Sequence, residues 1–582
     1  MQARDATVQN EYDVVVIGGG PAGSSAAALL AQQGRRVLVA ERSRFPRHHV
    51  GESTLLSIHS PLRWLGVADR VAAAGFRRKT GASYLWGHDR TPWSFHFWEL
   101  DDDPSGWRRS YSYEVERDVF DQVLLDHARD CGATVLEGVN VGDLLLDADA
   151  RIRGVGLQTT DTARAARPVH AALVIDASGQ SCLSGRRFGW RRMHDRLRNS
   201  ATYGYWSGGP PQYVRLGGDL SPADHSNIVI ASTEFGWVWV IPLRGDRVSI
   251  GVVLAGGSER PPTAAGRAAY VDLVSSCAEL APILRDLTPV DGEPIRYVRD
   301  WSYRCSQFTG PGLLLAGDAA CFVDPILSTG LHLALRAGIS AGCAAHSILC
   351  GQDERLMRLW YDSTYRAAYQ QYEQMALWWY HGDRNRERWF ERSRRLIDPA
   401  QYGADLPARR AFVQLAAGME ANPYVEEWVD GWVHPLRMEA LFHTNASFIA
   451  SQPRLRDRFG VSPGTSGSAS PMAAAAGGRR TPTRAATIGP RLRDDVAISV
   501  AADPPRGRVR MYADIPRHGG DHRRVDITDW ELVLRHCDGG RSIEQIGRML
   551  GLALPDRQRL HTVATELERC GLLTDVEARP DN

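Results

Sequence analysis

Lysine is all but missing from this chain. Of its 69 lysine and arginine residues only one, Lys79, is lysine. On a solvated surface arginine replaces lysine at little cost. The two differ where chemistry is done, because lysine is a compact amine whose pKa falls on burial and arginine is a permanently charged fork. An excess of charge of one sign is also lacking. The formal net charge is +1, which gives no general affinity for nucleic acid or for an acidic membrane. The nine cysteines, at 131, 182, 277, 305, 321, 343, 350, 537 and 570, include no CxxC pair and no zinc spacing. An odd number so scattered predicts reduced, mostly buried thiols and a cytoplasmic location, with no metal site. No apolar run reaches membrane-spanning length, and the opening MQARDATVQNEYD has no apolar signal region.

What is present begins with YDVVVI at 12–17, a β-branched run. GGGPAGSSAAALLAQQGRRV and then VLVAE follow, giving strand, turn, helix and strand within about 30 residues. Gly18, Gly20 and Gly23 form G-x-G-x-x-G at the turn. The first glycine allows the tight turn, the second lets backbone approach a pyrophosphate, and the third lets helix pack on strand. Glu41 ends the second strand and is placed to accept from a ribose diol. A carboxylate there disfavours a 2′-phosphate, so the dinucleotide is FAD or NAD.

Two later segments, VIDASGQ at 174–180 and LLLAGDAACFVDP at 313–325, each put an acid in a small-residue turn after an apolar strand. With the first motif they resemble the glutathione-reductase-type FAD fold, and more narrowly its monooxygenase-like branch. The resemblance implies that Asp318, after Gly317, contacts the ribityl and pyrophosphate region, and that Arg117 in YEVERDVFDQVL lies near the flavin. The fold class is α/β: an FAD-binding domain with a β-sheet substrate subdomain, a helical region and a small C-terminal winged-helix-like domain.

Three more signatures, in order, resemble the flavin-dependent halogenases over roughly residues 10–450. They are FPRHHVGES at 45–53, which includes Ser53; Lys79 in KTGASYLWG; and WVWVIP, which begins at Trp237. The match is nearest to the branch acting on phenols and pyrroles. In a strand Phe235, Trp237, Trp239 and Ile241 share one face, and Pro242 ends the ladder. The paired indoles either pack the core or, as the resemblance implies, wall the flavin off from the substrate. Ser328, Thr329 and Gly330 stand where a helix begins, either as a bare N-cap or with the free N–H groups facing an anion. The resemblance gives chloride binding to Thr329 and Gly330. It has chloride oxidised at the flavin to hypochlorous acid, which Lys79 aims at a ring carbon as an ammonium or carries as a chloramine. Leu327 stands where the tryptophan-specific branch has a glutamate, which favours a phenol over tryptophan. Tyr84, Trp86 and the WWY run at 378–380 are either pocket walls or helix packing.

The chain divides into residues 1–350 for flavin and substrate, a helical region 351–460, a Gly/Ser/Ala/Pro-rich linker 461–494 and a C-terminal unit 495–582. In that unit VAISV and VRMYA read as strands. Thr528 with Glu531 and Ser542 with Gln545 read as capping boxes of two helices, and a third helix runs from Pro555 to Cys570. The unit resembles the PqqD-like winged-helix fold, which binds peptides. A docking appendage is the plainer alternative. The expected activity is FADH2-dependent chlorination of an electron-rich aromatic intermediate, free or tethered to a carrier protein, with reduced flavin from a separate reductase. The Arg-rich segment 384–395 is either a patch for an acidic carrier or a solvated helix face. The alternatives are an aromatic hydroxylase of the same fold and a flavin-bound adaptor that recruits a peptide or carrier.

Overall fold

The computed structural model describes residues 9–86, 91–100, 111–159, 166–208, 225–256, 266–299, 301–380, 385–397 and 406–418, and the strand backbones 491–492, 497–503, 508–516, 522–526 and 573–574. The chain forms two compact units, Met1–Gly431 and Trp432–Asn582.

The near-continuous Val, Ile and Leu runs of the first unit form a sheet buried on both faces, as such runs do when parallel. Its order is Thr309–Gly310, Leu313–Leu315, Arg167–Asp176, Glu11–Ile17, Val37–Glu41 and Thr134–Glu137. Glu11–Ile17 pairs in parallel with both Val37–Glu41 and Arg167–Asp176. The helix Pro21–Gln32 opens straight after the glycine turn and packs against the helix Gly330–Leu349. Small residues set that spacing. A Cβ on Gly338 would stand 2.2 Å from the Ala22 carbonyl oxygen.

The second sheet runs Thr288–Pro289, Ser200–Ser207, Arg247–Leu254, Gly236–Pro242, Ile228–Ser232, Gly81–Leu85 and Trp93–His96. Its two faces carry different loads. Val229, Val238, Val240, Ile250 and Val252 pack with Tyr270, Val274 and Ile283 from the helices behind it. The alternate residues Trp237 and Trp239 face the other way, into a large cavity. Phe235 departs from expectation. It precedes the strand Gly236–Pro242, and Gly236 at φ 153° turns it onto the Val238 and Val240 cluster. The shared face begins at Trp237.

The helices Glu354–Tyr380, Arg386–Leu396 and Ala408–Ala416 belong to this unit. In the WWY run, Trp379 stacks on Tyr84 at 4.7 Å and lies 4.2 Å from Trp389, so it acts as packing. Tyr84 and Trp86 are buried in the same aromatic cluster. On Arg386–Leu396, Arg386 pairs with Glu387 at 2.8 Å and Arg394 with Glu391 at 3.0 Å, the pattern of a solvated helix face. Five of the seven described cysteines are buried, and none of these seven forms a disulfide. No helix among the described residues is long and apolar enough to cross a membrane.

In the second unit Ala497–Asp503, Arg508–Pro516 and His522–Asp526 form an antiparallel sheet. It contains both expected strands and a third. The two capping boxes, the Pro555–Cys570 helix and the linker up to 490 lie outside the described residues; at the linker's end Arg491–Leu492 is a strand paired antiparallel with Leu573–Thr574, not linker.

Candidate active site

A cavity of about 700 Å³ opens at the C-terminal ends of the parallel strands, within the range of cofactor pockets. Gly18 and Gly20 line it, with Glu41 beside them. Gly18 has φ 99°, and a Cβ there would stand 2.4 Å from the Ala177 carbonyl oxygen. Gly23 lies behind the cavity, where its missing Cβ would meet the Gly18 oxygen at 1.9 Å. The first and third glycines are therefore confined by different neighbours. Both Glu41 oxygens accept from backbone, Oε2 from Gly19 N–H and Oε1 from Ser43 N–H, each at 2.7 Å. The carboxylate is thus fixed in orientation and keeps lone pairs for a diol.

Arg117 lines the cavity, gripped by Asp121 through Nε at 2.8 Å and Nη2 at 3.0 Å. Its Nη1 donates to the Val50 carbonyl at 2.7 Å. Asp318 faces the same space. Burial raises its carboxyl to about 6 against the pull of Arg117. Gly317 does not line the cavity; at φ 61° it makes the turn that presents Asp318. Arg47 was not singled out in the sequence. It reaches Gly20, lines the cavity and pairs with Asp121 at 3.1 Å. It is a second cation on the cavity wall, and its signal was the FPR of FPRHHVGES. Glycines without room for a Cβ, a strand-end carboxylate and two cations suit FAD.

The aromatic wall is held on both sides. Trp237 and Trp239 lie 5.8 Å apart at 51°, and both line the cavity. Trp239 donates its Nε1–H to Ser249 Oγ at 3.3 Å and lies across Gly251, whose Cβ would overlap the ring at 2.1 Å. Trp237 donates to Tyr380 Oη at 2.7 Å, and Tyr380 in turn donates to Asp324 at 3.0 Å. Asn199 Nδ2 and Trp301 Nε1 also donate to Asp324. Burial raises the Asp324 carboxyl to about 6. Sequence reading quoted Asp324 and Tyr380 without linking them to the wall, because 143 residues separate Trp237 from Tyr380. We expect Tyr380→Phe to cost about 1–3 kcal/mol in thermal denaturation, since it leaves a buried indole N–H and a buried acid short of a partner. A double variant with Asp324→Asn should then be non-additive.

Asp324 also caps the next turn, accepting from Ile326 N–H at 3.0 Å. Ser328 follows at φ 56°, and the 20-residue helix Gly330–Leu349 starts with Thr329 at its N-cap. Ser328 and Gly330 line the cavity, whereas Thr329 is buried behind it. This loop brings a helix N-terminus to the cavity, which suits an anion.

Lys79 closes the short strand Arg77–Lys79, which pairs antiparallel with Ser112–Glu114. It is 2% exposed. Its Nζ donates to Ser53 Oγ at 2.8 Å and stands 5.9 Å from the Phe97 ring centre. Ser53 lines the cavity, and Lys79 lies directly behind it. Burial lowers the amine to about 8, against the opposing pull of Glu114. Glu52, the neighbour of Ser53, also lines the cavity. It accepts from Tyr205 Oη at 2.7 Å, and burial raises its carboxyl.

A family of FAD binding domains matches residues 11–376. The solved structure of the myxobacterial chondrochloren halogenase CndH, a variant of FAD-dependent halogenases, is 31% identical, with a TM-score of 0.58, over 75% of this chain and 97% of that one. The chain belongs to the flavin-dependent halogenases. A second solved member of that family, CmlS, is 25% identical with a TM-score of 0.57 and covers 98% of this chain and 97% of its own. The tryptophan 2-halogenase of Chondromyces crocatus is 31% identical over 343 residues, 58% of this chain and 62% of that one. The flavin cradle, the indole wall and the buried lysine thus occur together in a halogenase fold.

Proposed function

We propose that this protein is an FADH2-dependent halogenase that chlorinates an electron-rich phenolic ring, with Lys79 holding the hypohalous acid that reacts. The observation that carries this reading is the placement of the only lysine. It is buried, and its ammonium is tied to a serine of the cavity wall. Bound FAD, once reduced, supplies the oxygen chemistry that turns a halide into a hypohalous acid.

The rest falls to the chain. Gly18, Gly20, Glu41, Arg47, Arg117 and Asp318 hold the dinucleotide. The backbone at Ser328–Gly330 holds chloride at the helix N-terminus. Trp237 and Trp239, clamped by Tyr380 and Ser249, keep the aromatic substrate from the flavin. The Lys79 ammonium donates to the hypohalous oxygen, which orients the halogen towards a ring carbon. Placement by one donor in a dry site is where such a step gains most. Leu327 supports a phenol, which activates its own ring and needs no nearby acid. Reduced flavin comes from a separate reductase, and the substrate is a small aromatic, free or tethered to a carrier.

The test supplies FADH2, oxygen, chloride and an electron-rich phenol, with mass spectrometry as readout. The expected product carries the chlorine isotope pattern. Addition of one oxygen without halogen would make the protein a hydroxylase. Partner binding without turnover would make it an adaptor.

A further inference from the structure

Glu114 is fully buried, and neither carboxylate oxygen has a hydrogen bond of ordinary geometry. A lone buried carboxylate is strongly unfavourable unless a cation is at hand. Its surroundings are specific. In the ladder Arg77 stands opposite Glu114 and Lys79 opposite Ser112, so Lys79 is the diagonal neighbour of Glu114 on the same face. Ser53 forms a bridge to Glu114 on the other side. Its hydroxyl approaches the carboxylate without completing a hydrogen bond. Ser53 Oγ already accepts from Lys79 Nζ, which leaves its own hydrogen free to turn towards Glu114.

The other groups here are weaker partners of Glu114 or are bonded elsewhere. Ser112 is bonded to Thr54 and to the Leu55 carbonyl. Arg77 is half-buried, directs Nη2 to the His225 carbonyl at 3.4 Å, and adds a pull on Glu114 weaker than that of Lys79. Glu52 is held by Tyr205, and its charge opposes that of Glu114. Among the described residues Lys79 is the strongest electrostatic partner of Glu114, and Glu114 is the one that acts on Lys79.

We propose that Glu114 is the positioning residue of Lys79: its charge, with Ser53 between them, holds the amine as an ammonium aimed at the Ser53 wall of the flavin cavity. The role of that ammonium rests on the halogenase reading above. The link between the two side chains does not. Burial pushes the Glu114 carboxyl up to about 8 and the Lys79 amine down to about 8, while each charge favours the other's charged form, so the two titrations overlap and are coupled.

The single lysine makes a direct test possible. Protein grown with isotope-labelled lysine has one side-chain NMR signal, that of Lys79. In the wild type this signal should move in two coupled steps with pH. In Glu114→Gln the midpoint should fall by about one pH unit or more, because burial then acts unopposed. Halogenation should fall about 10- to 100-fold with FAD affinity unchanged, and the alkaline limb of the rate should move down in pH with the NMR midpoint. Glu114→Asp should recover part of both effects.

A Lys79 midpoint that stays put in Glu114→Gln and Glu114→Asp overturns the proposal. So does a rate limb that fails to follow the midpoint. If Glu114→Gln does not accumulate as folded protein, a single-step titration of the wild-type signal overturns it instead. Should no halogenated product form from the wild type while the midpoint still falls, the coupling stands and the halogenase reading is what fails.

Discussion

Lys79→Arg should purify with FAD bound and consume oxygen when given reduced flavin, yet form halogenated product at least about 100-fold more slowly than the wild type. The two cations carry the same charge, so a charge argument alone predicts little change. Geometry predicts a large one. The Lys79 nitrogen sits among Ser53, Phe97 and Glu114, with one direct hydrogen bond, to Ser53. A guanidinium is wider, brings five donors into a site that offers few acceptors, and cannot release its proton. Measuring oxygen uptake beside product separates oxygen activation from halogen transfer. Full activity in Lys79→Arg would remove the amine from the mechanism.

The same residue sets a pH dependence. The ordinary lysine value is 10.5, and burial brings Lys79 to about 8. If the ammonium is the working form, halogenation is flat below that value and falls as pH rises through it. If a neutral amine takes up the halogen, the rate rises over the same interval. We expect the fall, because Glu114 favours the charged form.

The second large effect concerns Gly23. Gly23→Val should yield protein without flavin absorbance, with FAD affinity lowered at least about 100-fold by calorimetry. A Cβ at this position would lie 1.9 Å from the Gly18 oxygen. That atom belongs to the turn that opens the helix, so relief must come from backbone. Overpacking of this kind costs about 1–3 kcal/mol and displaces the helix N-terminus from the phosphates. Gly34→Ala is the contrast. Gly34 has φ 73° but nothing near its missing Cβ, so the alanine variant gains backbone strain of about 1–2 kcal/mol and should keep its FAD. Equal flavin loss in both variants would mean that steric closeness at Gly23 is not what matters.

How much was legible differs from residue to residue. The glycine turn, Glu41, Asp318 and the alternation of Trp237 with Trp239 are local requirements, written within a few residues of one another. Phe235 was misplaced because alternation assumes a continuous strand, and Gly236 at φ 153° interrupts it. Asp324 and Tyr380 were in quoted motifs, but nothing local tells an acid before proline, or a helix-end tyrosine, that it will hold an indole far along the chain. Glu114 stood in the segment quoted for Arg117 and drew no notice, because a glutamate in a short strand is ordinarily solvated. The lysine stood out by rarity alone.

The amino-acid order alone determined that a dinucleotide cradle would form, that two indoles would share a face, and that one amine would differ from every other cation. Each depends on backbone freedom, strand period or residue chemistry, which act over short range. Only the tertiary structure decided that Ser53 would lie between that amine and the flavin cavity, and that Glu114 would be its buried counter-charge. Those contacts join segments 26 and 35 residues apart, and their strength comes from the exclusion of water, which no stretch of chain achieves until the sheets and helices close around it.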